Sequence, residues 1–204
     1  MMNQALSPII PLEKMRILRN PGLGEKIVQS HQSSRSGWLF AGRFVEQKGI
    51  LELIESWPPG EILDLAGSGP LLERVLGMIQ IRPNIRVIGT FPPGTLDIYY
   101  KYEGLIFPST WLEGSPLVIA DAMSAGTPTI ALRKSAASEQ VDLSGAGVVI
   151  DAELNESTLG KAIQDVRLRF EEYSRSAIMA SKSTFSIKNW TLDLSRYLSE
   201  AASL

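Results

Sequence analysis

The sequence predicts a doubly wound α/β domain with a parallel sheet of about six strands. Short apolar runs alternate with amphipathic helical segments along most of the chain. The spacing between successive runs fits βαβ units, in which a helix crosses back so that the next strand lies parallel to the previous one. The 204 residues are 44% hydrophobic, which is enough apolar surface for the core of such a domain.

Each element follows from a local pattern. The predicted strands are residues 38–42, 61–66, 84–89, 104–108, 129–131 and 147–150. Helices are predicted at 50–57, 71–80, 95–102 and 136–141, and from Pro116 to a C′ glycine, Gly126. Beyond residue 150 we expect a helix that Ser157 or Thr158 caps and that runs to about Tyr173, followed by helices at 176–183 and 187–204. The chain thus divides into an irregular segment and linker (1–36), a sheet domain (37–150) and C-terminal helices that pack on that domain (151–204).

Composition argues against several classes of function. With 20 basic and 22 acidic residues the chain lacks the basic excess of a nucleic-acid-binding protein. It has no cysteine and one histidine, His31, which argues against disulfide frameworks and against metal sites built from thiolates or imidazoles. No apolar run is long enough to span a bilayer and no signal peptide is visible, so we expect a cytoplasmic protein. His31 lies in the serine-rich stretch 30–37 and is expected to be solvated.

The stretch 112–123 carries the main functional pattern. Ser115 is a good N-cap and Pro116 suits the first helical position, so the first free amides belong to Leu117 and Val118. Such amides, at the positive end of a helix dipole, form an anion site. Glu113 precedes that turn and Asp121 lies about two helical turns after Glu113; carboxylates accept hydrogen bonds from hydroxyls. The pattern suits a ligand with central phosphates and hydroxyl-rich ends, such as a nucleotide-sugar.

Further candidates follow other predicted strands. Arg43 and Lys48 come just after the first strand, Phe91 after the third and Glu113 after the fourth. Because ligands of doubly wound sheets bind at the carboxyl ends of the strands, these side chains are expected to converge there. Two cations there could bind the phosphates of such a ligand; the alternative is that both are solvated surface cations.

The glycine-rich turn 67–70 argues against one familiar class. It follows the second strand, and Leu72 stands where the third glycine of G-x-G-x-x-G would be. A dinucleotide-binding dehydrogenase is therefore disfavoured. We expect this loop to be a tight turn that lets a ligand come close to the backbone.

The motifs together resemble a known family. The run Glu113-Gly114-Ser115-Pro116-Leu117-Val118 with an acid at 121 resembles the E-x7-E signature of the family-4 retaining glycosyltransferases (glycosyl transferases group 1), with Asp121 in place of the usual second Glu. Gly42-Arg43 with Lys48-Gly49, the turn 67–70 and the run 121–131 are similar to that family as well. The resemblance covers residues 38–150 closely. It implies the C-terminal, donor-binding, Rossmann-like half of a GT-B architecture, whose N-terminal, acceptor-binding domain has no counterpart in the first 36 residues.

The resemblance also implies roles. The reaction would be a retaining, metal-independent transfer from a UDP-sugar, with UDP-glucose the expected donor and no cofactor beyond this co-substrate. Glu113 would hold the donor sugar, Arg43 and Lys48 the diphosphate, and Asp121 the ribose. The remaining donor-binding positions would be Gly42, Phe91 at the base, Gly114, Ser115, Leu117 and Val118.

The sequence leaves alternatives open. The chain could be a non-catalytic nucleotide-sugar-binding module or a subunit that needs a separate acceptor-binding partner, and peripheral membrane association of the full complex is open too. A sugar-phosphate epimerase of similar fold would need acid and base residues that the sequence does not offer. The acceptor, the donor sugar, the base and the oligomeric state are not fixed.

Overall fold

The structure is a computed structural model that describes residues 15–22, 34–111, 113–133 and 136–202. Six parallel strands form one sheet in the order β3-β2-β1-β4-β5-β6. They are β1 (Trp38–Ala41), β2 (Leu63–Ala66), β3 (Ile85–Gly89), β4 (Gly104–Phe107), β5 (Thr129–Leu132) and β6 (Gly147–Ile150). The prediction of a doubly wound, six-stranded parallel α/β sheet is confirmed. His31 lies outside the described residues.

Eight α-helices connect and flank the strands within the described ranges, and a short 3₁₀ turn (Glu46–Lys48) precedes the first of them. They are α1 (Ile50–Ser56), α2 (Leu72–Ile79), α3 (Leu96–Tyr99), α4 (Leu117–Ser124), α5 (Ala136–Ser144), α6 (Glu156–Leu168), α7 (Phe170–Lys182) and α8 (Ile187–Ala202). None of the helices in the described part of the chain combines the length and the apolar character needed to cross a bilayer.

The start and end of α6 differ from the prediction. Asn155, not Ser157 or Thr158, is the N-cap: its Oδ1 accepts from the amide of Thr158, whose Oγ1 accepts from the amide of Asn155, each at 3.0 Å. Thr158 therefore completes a reciprocal capping box. The helix ends at Leu168 because Arg169 leaves helical geometry at φ −114° and ψ 22°. The break separates α6, which packs on β6, from α7, which packs on α4.

Helix α3 is shorter than the predicted 95–102. The amide of Glu103 donates to the carbonyl of Gly37 at 2.9 Å rather than to Tyr99, so the helix does not continue. The carbonyl of Tyr99 accepts from the amide of Tyr102 at 3.3 Å and from the buried guanidinium of Arg35 at 3.1 Å. A tight turn, supported by a side chain from the preceding linker, thus follows this helix.

The sheet is buried on both faces at its centre. Every residue of β1, β2 and β4 is buried. Because successive residues of a strand point to opposite faces, Trp38 and Phe40 enter one core cluster and Leu39 and Ala41 the other. Burial on both sides explains why these strands are nearly continuous apolar runs in the sequence.

The strand order places one crevice at the carboxyl edge. β1 pairs with both β2 and β4, and the chain winds outward from β1 through β2 to β3 and from β4 through β5 to β6. The winding direction therefore reverses between β1 and β4. In open sheets of this type, ligands bind at that reversal, outside the carboxyl ends of the strands.

Candidate functional site

A cavity of about 480 Å³ lies at this edge of the sheet. It is bounded by the residues that follow β1, β2 and β3 and by the first two turns of α4. Six of the residues proposed from the sequence line it: Gly42, Arg43, Phe91, Leu117, Val118 and Asp121. The other lining residues are Ala41, Ala66, Gly67, Ser68, Thr90, Pro93 and Tyr99. The volume falls within the range of small-molecule sites.

Two glycine-containing strand ends form one wall of the cavity. The amide of Phe44 donates to the carbonyl of Ser68 at 2.9 Å, so the segment after β1 lies directly against the turn after β2. A Cβ on Gly67 would overlap the carbonyl oxygen of Gly42, and a Cβ on Gly69 would lie 2.6 Å from the carbonyl oxygen of Phe44. The glycines of this turn are therefore required for backbone packing, and the packed backbone shapes the ligand wall.

The start of α4 differs from the prediction in one respect. Pro116 is the N-cap, with φ −64° and ψ 123°, and Ser115 does not cap the helix. The first intrahelical bonds run from the amides of Ile119 and Ala120 to the carbonyl of Pro116, at 3.2 and 3.5 Å. The amides of Leu117 and Val118 therefore precede these bonds, as the anion-site prediction requires.

Ser115 is held by other parts of the chain instead. Its Oγ accepts from the amide of Asn20 at 2.9 Å and from Nε2 of Gln140 at 2.6 Å. Its carbonyl accepts from Nδ2 of Asn20 at 2.8 Å. These bonds fix the turn that precedes α4, and they occupy the hydroxyl that was expected to cap the helix. Ser115 and Gly114 do not line the cavity.

The N-terminal segment 15–22 continues along α4. The amide of Gly22 donates to the carbonyl of Phe185 at 3.1 Å, just before α8. A Cβ on Gly22 would lie 2.8 Å from the carbonyl of Ala120, so the segment contacts the α4 backbone closely. Sequence reasoning missed Asn20 because it lies in a stretch without helical or strand periodicity.

The far end of the cavity is lined by buried polar groups. Asp121 is 2% exposed, and its Oδ2 accepts from the amide of Gly94 at 3.1 Å. Tyr99 is 1% exposed, and the edge of the Phe91 ring meets it with centroids 5.9 Å apart. Burial raises the pKa of Tyr99, and the nearby negative charge of Asp121 raises it further. Phe91 supplies the apolar surface that a nucleobase needs.

Lys48 and Glu113 form an ion pair beside the cavity rather than lining it. Lys48 Nζ donates to Glu113 Oε1 at 2.6 Å, and Ser109 Oγ donates to the same oxygen at 2.8 Å. The ammonium also lies 5.4 Å from the centroid of the Phe107 ring. Both charged side chains are less than a quarter exposed. The structure thus brings these two predicted residues together as an ion pair.

The sheet order, the glycine-walled cavity and the open helix start define a Rossmann-like domain of the GT-B glycosyltransferase type. The family model of the glycosyl transferases group 1 matches residues 26–181. The chain belongs to this family, and the prediction of a group 1 glycosyltransferase is confirmed.

One known protein is similar to this chain in sequence, and several solved structures are similar in fold. The chain is 32% identical over 102 residues to an uncharacterised glycosyltransferase of Methanocaldococcus jannaschii. This match covers 45% of this chain and 26% of that protein. Anabaena HepE in complex with UDP has a TM-score of 0.71 at 17% identity, over 83% of this chain and 50% of HepE. The pneumococcal O-GlcNAc transferase GtfA in complex with UDP and GlcNAc has a TM-score of 0.68 at 18% identity, over 94% of this chain and 39% of GtfA. Sucrose-phosphate synthase of Thermosynechococcus elongatus has a TM-score of 0.70 at 20% identity, over 84% of this chain and 46% of the synthase. The matched region is thus half or less of each of these proteins.

Proposed function

We propose that this chain binds a UDP-sugar and is the donor-binding half of a family-4 retaining glycosyltransferase. One observation carries the proposal: a single cavity combines Arg43 and the free amides at the start of α4 with the buried carboxylate of Asp121 and the ring of Phe91. The cavity therefore offers a place for a negative charge, a place for hydroxyls and a place for a base. Membership of the glycosyl transferases group 1 supports a transferase with such a ligand.

The order of these groups gives the ligand a direction. The base lies against Phe91, the ribose hydroxyls face Asp121, and the diphosphate lies at the amides of Leu117 and Val118 beside Arg43. The sugar then extends toward Glu113. The complexes of HepE with UDP and with UDP-glucose, which share the fold, support UDP-glucose as the donor.

The chemistry that follows is retention of configuration without a protein nucleophile. Arg43 and Lys48 stabilise the charge that develops on the departing diphosphate. A donor phosphate oxygen takes the proton of the acceptor hydroxyl, and Glu113 orients the donor sugar by accepting hydrogen bonds from its hydroxyls. The acceptor is bound by a second domain or subunit, as expected for a chain that covers half or less of HepE, GtfA and sucrose-phosphate synthase.

A second candidate is a nucleotide-sugar-binding module without activity of its own. The Lys48–Glu113 ion pair favours it, because both groups satisfy each other in the absence of ligand. Release of UDP from UDP-glucose without added acceptor separates the two: a module binds the donor and releases no UDP.

Isothermal titration calorimetry with UDP, uridine and UDP-glucose tests the proposal. Arg43→Ala is expected to weaken UDP binding about tenfold, the loss of a charge-assisted contact, and to leave uridine binding unchanged. Arg74→Ala on α2, also an exposed arginine, is the matched control and should change neither. Failure of the wild-type chain to bind UDP, or an equal effect of Arg43→Ala on UDP and uridine, would contradict the proposal.

A further inference from the structure

The Tyr99 hydroxyl is buried in the wall of the cavity without a hydrogen-bond partner among the described residues. Leaving a buried donor unpaired costs free energy of folding. Such a group is uncommon in native structures, and each instance needs an explanation, for example a bound water, ion or other ligand.

The other contacts of Tyr99 do not need this hydroxyl. Its carbonyl accepts from Arg35 at 3.1 Å and from Thr127 Oγ1 at 3.0 Å, and its ring packs edge-on with Phe91. A phenylalanine would keep all of these contacts and would bury no unpaired donor. The fold alone therefore gives no reason for a tyrosine at this position.

Asp121 lines the same cavity and is its chemical complement. Its buried carboxylate accepts a hydrogen bond from the amide of Gly94, and the two oxygens of a carboxylate can accept several hydrogen bonds. A carboxylate only accepts, whereas a phenol hydroxyl can also donate. A ligand hydroxyl placed between them can donate to Asp121 and accept from Tyr99, so that the Tyr99 hydroxyl gains a partner.

The position along α4 matches a ribose. Asp121 follows Leu117 by four residues and lies on the same face, about 6 Å farther along the axis. A phosphate at the free amides thus places the adjoining sugar about one helical turn away, beside Asp121.

We propose that Tyr99 and Asp121 together bind a ribose hydroxyl, and that Tyr99 thereby makes the site specific for ribonucleotides over deoxyribonucleotides. The inference rests on the proposed nucleotide-sugar function and adds a specificity-determining residue to it. The hydroxyl is the 2′ or the 3′ group, which present the same chemistry.

The test compares UDP, 2′-deoxy-UDP and 3′-deoxy-UDP by calorimetry on the wild type and on Tyr99→Phe. The wild type is expected to bind UDP about tenfold more tightly than one of the two deoxy compounds. Tyr99→Phe should remove most of that preference by weakening UDP binding, and it should leave the affinity for that deoxy compound unchanged. The melting temperature of the free protein should stay equal or rise, since an unpaired buried hydroxyl is removed.

Tyr102→Phe is the matched control. Tyr102 is also buried, but its hydroxyl donates to Asp64 at 2.7 Å. This variant should lower the melting temperature and leave the UDP preference unchanged. If Tyr99→Phe weakened all three nucleotides by the same factor, or changed none, the ribose role would be wrong while UDP binding stood. If the wild type bound none of them, the proposed function would fail and this inference with it.

Discussion

Lys48 Nζ lies 2.6 Å from Glu113 Oε1, although the two residues are proposed to act on different parts of one ligand. Lys48 follows β1 and Glu113 follows β4, and these strands are neighbours in the sheet. Without ligand the pair neutralises two partly buried charges. A bound diphosphate would compete with Glu113 for the ammonium, so the pair and donor binding are expected to be coupled.

We expect Lys48→Met to lower the free energy of unfolding by about 1–3 kcal/mol, because Glu113 then stays partly buried without its cation. Lys48→Met combined with Glu113→Gln should lose less than the sum of the two single variants. Urea denaturation of the wild type, both single variants and the double variant measures this coupling. Strictly additive effects would show that the pair contributes nothing to stability.

The Asn20 side chain is expected to position the turn before α4. Asn20→Ala removes the bond to the Ser115 carbonyl, so UDP binding should weaken several-fold while uridine binding is kept. Arg16→Ala, in the same segment but ion-paired with Glu200 at the surface, should affect neither ligand. Calorimetry measures the affinity of each variant for both ligands. An equal loss of affinity for UDP and for uridine would indicate general unfolding of the segment.

Arg35 is expected to be a major contributor to stability. Its guanidinium donates to the carbonyls of Tyr99, Tyr102 and Ala125 and to Thr127 Oγ1, at 2.7–3.1 Å. Arg35→Met keeps the apolar stem but removes all four hydrogen bonds, so the free energy of unfolding should fall by at least about 3 kcal/mol. Chemical denaturation measures the loss. Arg74→Met, at an exposed position, is the comparison, and a similarly small effect of both variants would refute this role.

Gly67 and Gly77 are expected to respond in opposite directions to alanine. A Cβ at Gly67 would overlap the Gly42 carbonyl, so Gly67→Ala should destabilise by about 2 kcal/mol or more and deform the cavity wall. A Cβ at Gly77 in α2 meets nothing within 4 Å, so Gly77→Ala should stabilise by about 0.5–1 kcal/mol through helix propensity. Thermal or urea unfolding measures the change in stability of both variants. A Gly67→Ala variant as stable as the wild type would mean that the chain segments after β1 and β2 can separate.

Stability is expected to fall at alkaline pH. Burial, and then the hydrogen bond that its hydroxyl donates to Asp165, raise the pKa of Tyr173 from 10.0 to about 12. The folded state therefore keeps this proton where the unfolded state loses it. The stabilisation is complete below pH 10 and is lost as the pH rises through 12. Melting temperatures between pH 9 and pH 12 should fall less steeply in Tyr173→Phe than in the wild type, and identical slopes would exclude this contribution.

The sheet could be predicted because its strands are defined by local composition. A strand buried on both faces is nearly continuously apolar, as β1 and β4 are, and such short apolar runs can be recognised in the sequence without long-range information. The start of α4 near Pro116 could be predicted for a similar reason, since a proline at the start of a helix is a local signal.

The residues that hold the site in place could not be predicted. Asn20 and Gln140 reach Ser115 from 95 and 25 positions away, and single polar side chains leave no periodic trace. These long-range bonds are also why Ser115 does not cap α4. Tyr99 was missed because it reads as one of several tyrosines in a short helix, and its unpaired hydroxyl is visible only in three dimensions.

Arg16 and Glu200 are 184 positions apart in sequence, and their side chains meet at 3.5 Å. A short peptide bridge between these places would therefore close the backbone into a ring without moving α8. New ends could then be opened at the exposed turn Pro59–Gly60, which precedes β2 at the amino edge of the sheet, opposite the cavity. A circularly permuted protein of this kind would carry fusion partners far from the cavity and leave the carboxyl edge of the sheet accessible.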